Sequence, residues 1–163
     1  AYRGGSSGPF RGGKGGLFEG GIRVPAMVSW PGVIPAGQVN SEIASSLDVF
    51  PTVLHWLGGN LLMKNKIDGK NLQRMIINGE NTPHETLFWG LGDQRAVRRG
   101  KWKLILNPQL DFSQKADEPV LLYDLEGDPG ETANLAHLQP GIVEELKKQI
   151  TAWETDWKTE AAG

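Results

Sequence analysis

Apolar residues recur at helical spacing near the end of the chain. Ile142, Leu146, Ile150, Trp153 and Trp157 form one stripe, and Glu144, Glu145, Lys147 and Lys148 face away. The pattern predicts an amphipathic helix over 141–158. Upstream, the runs 85–91, 94–99, 101–106 and 120–125 carry strand signals, and Arg99-Gly100 suits a tight hairpin turn between the second and third. Residues 107–119 read as a polar loop. The sum is an antiparallel sheet covered by one long helix, an α+β subdomain over 81–163. Within it, Trp102 is expected as a core anchor beneath the helix.

Residues 1–80 are patterned differently. The run 23–29 is apolar without clean alternation, so it predicts a strand buried on both faces. The remaining sequence supplies few neighbours for it, which points to a larger sheet than this chain contains. Residues 40–57 read as a helical region: Ser46 or Asp48 caps it, Pro51 suits an early turn, and Gly58-Gly59 stops it. Leu72, Met75 and Ile76 mark a short helical turn after Asp68-Gly69.

Composition narrows the class. Hydrophobic content of 39% and charged content of 22% suit a globular domain. A net charge of −2 argues against a dedicated nucleic-acid binder, and no apolar run approaches the roughly 20 residues of a membrane span. With no cysteine, disulfides and thiolate metal sites are excluded.

Half of the 22 glycines precede Gln38, and they frame the most distinctive chemistry. Lys14 sits between Gly12-Gly13 and Gly15-Gly16, followed by Glu19-Gly20-Gly21-Ile22-Arg23. An ammonium on a glycine turn suits an oxyanion, and clustered backbone N–H groups add an anion-binding concavity. The stretch approaches a phosphate-binding P-loop, but Gly15 stands where the hydroxyl residue belongs and no strand precedes it, so nucleotide binding is rejected. Glu19 and Arg23 are expected to pair structurally. Arg95, Arg98, Arg99, Lys101 and Lys103 read as a basic, solvated hairpin face. His55 and His137 are not assigned to catalysis; nor is His84, placed near a pocket rim. Asp128-Pro129 starts a turn rather than a calcium loop.

The passage GGKGGLFEGGIRVPAMVSWPGVIPAGQ resembles the sulfatase family in its arylsulfatase branch. SLDVFPTVL (46–54), RAVRRGKWKL (95–104) and LYDLEGDPGE (122–131) match the family in the same order. The resemblance implies the C-terminal portion of an alkaline-phosphatase-like α/β fold: the end of the main mixed sheet within 1–80, then the α+β subdomain over 81–163. It implies Lys14 as the active-site lysine on the sulfate oxygens. It also directs attention to the 89–94 hairpin, where Asp93 and Gln94 are expected substrate contacts.

The family's formylglycine nucleophile arises from a Cys/Ser-x-Pro-x-Arg motif that this chain lacks. Its calcium ligands are likewise expected outside the chain, as is the rest of the polypeptide that would pair with it. The implied activity is sulfate-ester hydrolysis on a small molecule or sulfated glycan, in a periplasmic, secreted or lysosomal setting. Two alternatives stand beside it: a non-catalytic module binding sulfated glycans or another chain, and a phosphodiesterase or phosphonate hydrolase of the same superfamily.

Overall fold

A computed structural model describes residues 5–59 and 67–161, with side chains through Asp156. Trp157 of the expected stripe lies outside the described side chains. In chain order the elements are α1 (Glu19–Ile22), a 3-10 turn (Ser46–Asp48), α2 (Val49–Trp56), α3 (Gln73–Asn78), β1 (Thr86–Leu91), β2 (Gln94–Arg99), β3 (Trp102–Leu106), β4 (Val120–Asp124) and α4 (Pro140–Ala161). The chain divides into two compact units, Ala1–Pro25 with Thr86–Gly163, and Ala26–Glu85. The glycine-rich opening therefore packs with the C-terminal sheet, where the sequence pattern groups it with the residues up to 80.

In the first unit the four strands form one antiparallel sheet in the order β1-β2-β3-β4. Strand alternation sends side chains to two faces, and both are covered. One face sets Val97, Leu104 and Leu122 against Val143, Leu146 and Ile150 of α4. The stripe of α4 thus packs as expected, with Val143 added to it and Trp102 half-buried at its margin. The rings of Phe88 and Trp153 stack at 5.3 Å. Leu146 is fully buried there, so Leu146→Ala is expected to cost about 3 kcal/mol, the scale of a leucine-sized cavity. A urea midpoint unchanged by that substitution would contradict this packing.

The opposite face carries Ala96, Ile105, Leu121 and Tyr123, and it is covered by Leu17 and Phe18 of the glycine-rich segment. Phe18 is fully buried, 6.3 Å from the Tyr123 ring. This second layer turns a two-layer expectation into three.

The second unit is built around Asp48. Asp48, one of the two expected caps, is the N-cap residue of α2. Its side chain joins Ser45 in a capping box on the preceding turn: the Ser45 hydroxyl accepts from Leu47 N–H, and Asp48 Oδ2 accepts from Ser45 N–H at 2.6 Å. The same carboxylate accepts from Lys70 N–H at 2.8 Å. The His84 ring closes on it, with Nε2 at 2.8 and 2.9 Å from the two oxygens. His84 is thus buried in a structural knot, not set at a pocket rim. The short helical turn at 72–76 is present as α3, capped by Gly79 in the left-handed conformation.

The run 23–29 is not a strand. Residues 23–30 have no regular structure, and Val24, Met27 and Val28 are exposed. A strand buried on both faces needs hydrogen-bonding neighbours, and none of the described residues pairs with it. Val49, Phe50, Val53 and Leu57 are exposed on and just after α2.

Candidate functional site

Lys14 occupies the second position of a tight turn, closed by the Gly16 N–H donating to the Gly13 carbonyl at 3.0 Å. The third position, Gly15, has φ +99. Left-handed backbone at that position is what a type II turn demands, and it selects glycine. The turn projects Lys14 outward: the lysine is exposed, while Gly15, Gly16, Leu17, Phe18 and Glu19 behind it are buried.

The backbone on both sides of Lys14 is bonded to the sheet and to the loops beside it. On one side, Gly13 N–H donates to the Leu110 carbonyl at 2.9 Å, and Gln94 Nε2 donates to the Gly15 carbonyl at 2.9 Å. On the other, Gly20 N–H donates to the Arg11 carbonyl at 2.8 Å. Arg11 in turn donates to Tyr123 Oη at 2.9 Å and to the Glu131 carbonyl at 3.0 Å. Burial pushes the Tyr123 phenol up to about 12, so Tyr123 remains a neutral acceptor for that guanidinium. A Cβ on Gly21 would run into the Gly13 and Gly16 carbonyl oxygens. Gly21→Ala is therefore expected to destabilise the protein by about 1–3 kcal/mol through overpacking. Chemical denaturation checks it, and an unchanged midpoint would show that α1 does not press on the lysine turn.

The deepest anchor is ionic. Lys103 Nζ, fully buried on β3, lies 2.8 Å from Glu19 Oε1 and 2.8 Å from Glu131 Oε1. Glu131 Oε2 accepts from Glu19 N–H at 2.6 Å. Arg23 and Arg98 stand 3.6 and 3.8 Å from Glu19 Oε2. Burial pushes the Glu131 carboxyl above its ordinary range, while the Lys103 ammonium and the Glu19 N–H pull against that shift. Glu131 holds φ +55, an uncommon backbone for a residue with a side chain, which aims its carboxylate inward.

These contacts bear on two expectations. The Glu19–Arg23 pair is present, but Glu19's shortest ionic contact is with Lys103. The basic hairpin is not a free cationic face. Arg95 pairs with Glu154, Arg99 with Glu145, Lys101 with Asp124, and Lys103 is interior. The Lys101 pair holds the Asp124 carboxyl below its usual range and raises the ammonium.

Gln94, expected to touch substrate, is buried, and both ends of its amide are engaged. It braces the lysine turn instead of meeting solvent. Asp93 is exposed in the β1–β2 turn, its carbonyl accepting from Asn107 Nδ2 at 3.1 Å.

Among the described residues, no three histidine, aspartate or glutamate side chains converge to hold a metal ion. Among the same residues, no helix is long and apolar enough to cross a membrane.

The glycine-lysine turn and the sheet behind it have counterparts in known proteins. The Sulfatase family model matches residues 2–59, which contain the turn. Human arylsulfatase A is 39% identical over 170 residues, covering 90% of this chain. The chain belongs to the sulfatase family. A Bacteroides thetaiotaomicron sulfatase, solved in work on the metabolism of multiple glycosaminoglycans, superposes with a TM-score of 0.75 at 27% identity over 91% of the chain. Ps i-CgsB in complex with k-i-k-neocarrahexaose superposes at 0.72 with 26% identity over 86%. The chain spans about a third of each: 33% of arylsulfatase A, and 32% and 31% of the two solved chains. Its fold is accordingly part of an alkaline-phosphatase-like sulfatase: the four-stranded sheet, the long C-terminal helix and the glycine-lysine segment.

Proposed function

We propose that this chain supplies one wall of a sulfuric ester hydrolase site, with Lys14 as the residue that meets the sulfuryl group. The observation that carries this reading is the contrast at the turn. The residues behind Lys14 are buried and bonded to the sheet, while its ammonium is exposed and forms no ion pair among the described residues. A preorganised charge of this kind stabilises an oxyanion in the transition state, because the protein need not reorganise as charge develops. As the S–O bond breaks, negative charge grows on the leaving oxygen and spreads over the sulfuryl oxygens. Lys14 neutralises part of it. Asp93, exposed in the β1–β2 turn, remains the proposed contact to the alcohol portion of the substrate.

The substrate class is a sulfate monoester, on a small alcohol or on a glycan. The glycan reading draws support from the glycosaminoglycan and neocarrahexaose contexts of two structural relatives. A formylglycine nucleophile and calcium belong to residues outside this chain, as does the polypeptide that would complete the site.

The test is hydrolysis of 4-nitrophenyl sulfate by the full-length protein, compared with 4-nitrophenyl phosphate and a phosphonate monoester. Preference for the sulfate supports the reading. Preference for a phosphorus ester would move the protein to another branch of the superfamily, and turnover of none would favour a binding module.

A further inference from the structure

Among the described residues, the Gln94 side chain hydrogen-bonds both to the lysine turn and to the polar loop beside it. Its Nε2 donates to the Gly15 carbonyl at 2.9 Å, and its Oε1 accepts from Gln109 N–H at 3.0 Å. The side chain is buried at 1% exposure, so neither bond is shared with bulk water. The loop it joins to the turn is itself ordered. Leu110 N–H donates to the Gln114 carbonyl, Ala116 N–H to the Pro108 carbonyl, and Asp111 accepts from Ser113 and Gln114 N–H. The Leu110 carbonyl accepts from Gly13 N–H, and the Phe112 ring lies against Gly15. The peptide between Gly13 and Gly16 is therefore held at both ends, and Gln94 grips the carbonyl of the residue immediately after Lys14.

A glycine turn without such a grip has many accessible conformations. The lysine it carries would then lose its fixed origin, and preorganisation is what makes a charge stabiliser effective. Resting on the role proposed for Lys14, we propose that Gln94 is a positioning residue for the reaction. It acts through Lys14 by fixing the Gly15 carbonyl and does not touch substrate.

The test is a double-mutant cycle in the full-length protein, assayed on 4-nitrophenyl sulfate, with Gln94→Met and Gln94→Glu each made alone and with Lys14→Ala. The glutamate keeps the acceptor for Gln109 N–H and removes the donor to Gly15, so it isolates the bond that matters. Each single Gln94 variant is expected to lower kcat roughly 10- to 100-fold, the scale of a misplaced group, and to change KM less. In the Lys14→Ala background the same substitutions should change kcat less than about twofold, since contacts that act through one another are not additive. Tryptic cleavage after Lys14 should accelerate in Gln94→Met, while cleavage after Lys148 on α4 stays at the unsubstituted rate.

Additive losses in the double variants, or equal acceleration at both cleavage sites, would overturn the proposal and leave the role of Lys14 standing. If Lys14→Ala alone keeps full activity, the role of Lys14 falls, and the positioning role falls with it.

Discussion

Replacing Lys14 with alanine is expected to lower kcat/KM of the full-length protein on an aryl sulfate by about 10²–10³-fold, the scale for losing one preorganised charge stabiliser. The fold should be unaffected. The side chain is exposed and forms no ion pair among the described residues, and the turn depends on backbone bonds and glycines that the substitution leaves alone. A loss of rate together with an unchanged unfolding midpoint is therefore the signature. Lys14→Arg should recover only part of it, since a planar guanidinium presents its charge farther out and in a fork. Equal rates for the alanine variant and the unsubstituted protein would remove the lysine from the chemistry.

The largest expected loss of stability comes from Lys103→Met. Methionine fills nearly the same volume but leaves Glu19 and Glu131 buried and facing the vacated position. Arg23 and Arg98 lie near the far oxygen of Glu19, so part of its charge stays compensated. Glu131, fully buried, bears most of the penalty. Breaking a buried ion pair in this way typically costs about 3–5 kcal/mol, because an uncompensated charge is left behind. The triple replacement Lys103→Met, Glu19→Gln, Glu131→Gln should recover much of that loss, since the desolvated charges leave together. Urea unfolding of the two variants decides the matter. A single variant as stable as the unsubstituted protein would mean the three groups are not held as an ionic anchor.

The elements with a clean period are legible in the sequence. The stripe of α4 announces itself because it buries one set of positions and leaves the other polar, and β1 to β4 are legible as short runs bounded by turn signals although both faces of their sheet are covered. Lys103 shows where such reading stops. Among five cations in a hairpin it looks solvated, yet alternation places it on the face of Ile105, and that is the one available signal. Its partner Glu19 is separated from it by 84 residues, and Glu131 lies beyond β4, so no local pattern could announce the cluster.

For Gln94 the sequence points to the right segment and the wrong task. A polar residue at a turn suggests a contact with solvent or substrate, but Gln94 is buried and bonded to both the glycine turn and the loop at Gln109. The run 23–29 has apolar content and nothing more. Apolar content predicts burial; it does not supply the neighbouring strands that burial in a sheet requires.

Whether a rigid turn presents the Lys14 ammonium to a sulfuryl group is open to direct observation. The most direct measurement is a crystal structure of the full-length protein with inorganic sulfate or a slowly hydrolysed sulfate ester bound. Lys14 Nζ is expected at about 2.7–2.9 Å from a sulfate oxygen, the distance of a charge-assisted hydrogen bond, with the Gly15 carbonyl still bonded to Gln94. A sulfate group held elsewhere, with Lys14 pointing into solvent, would contradict it.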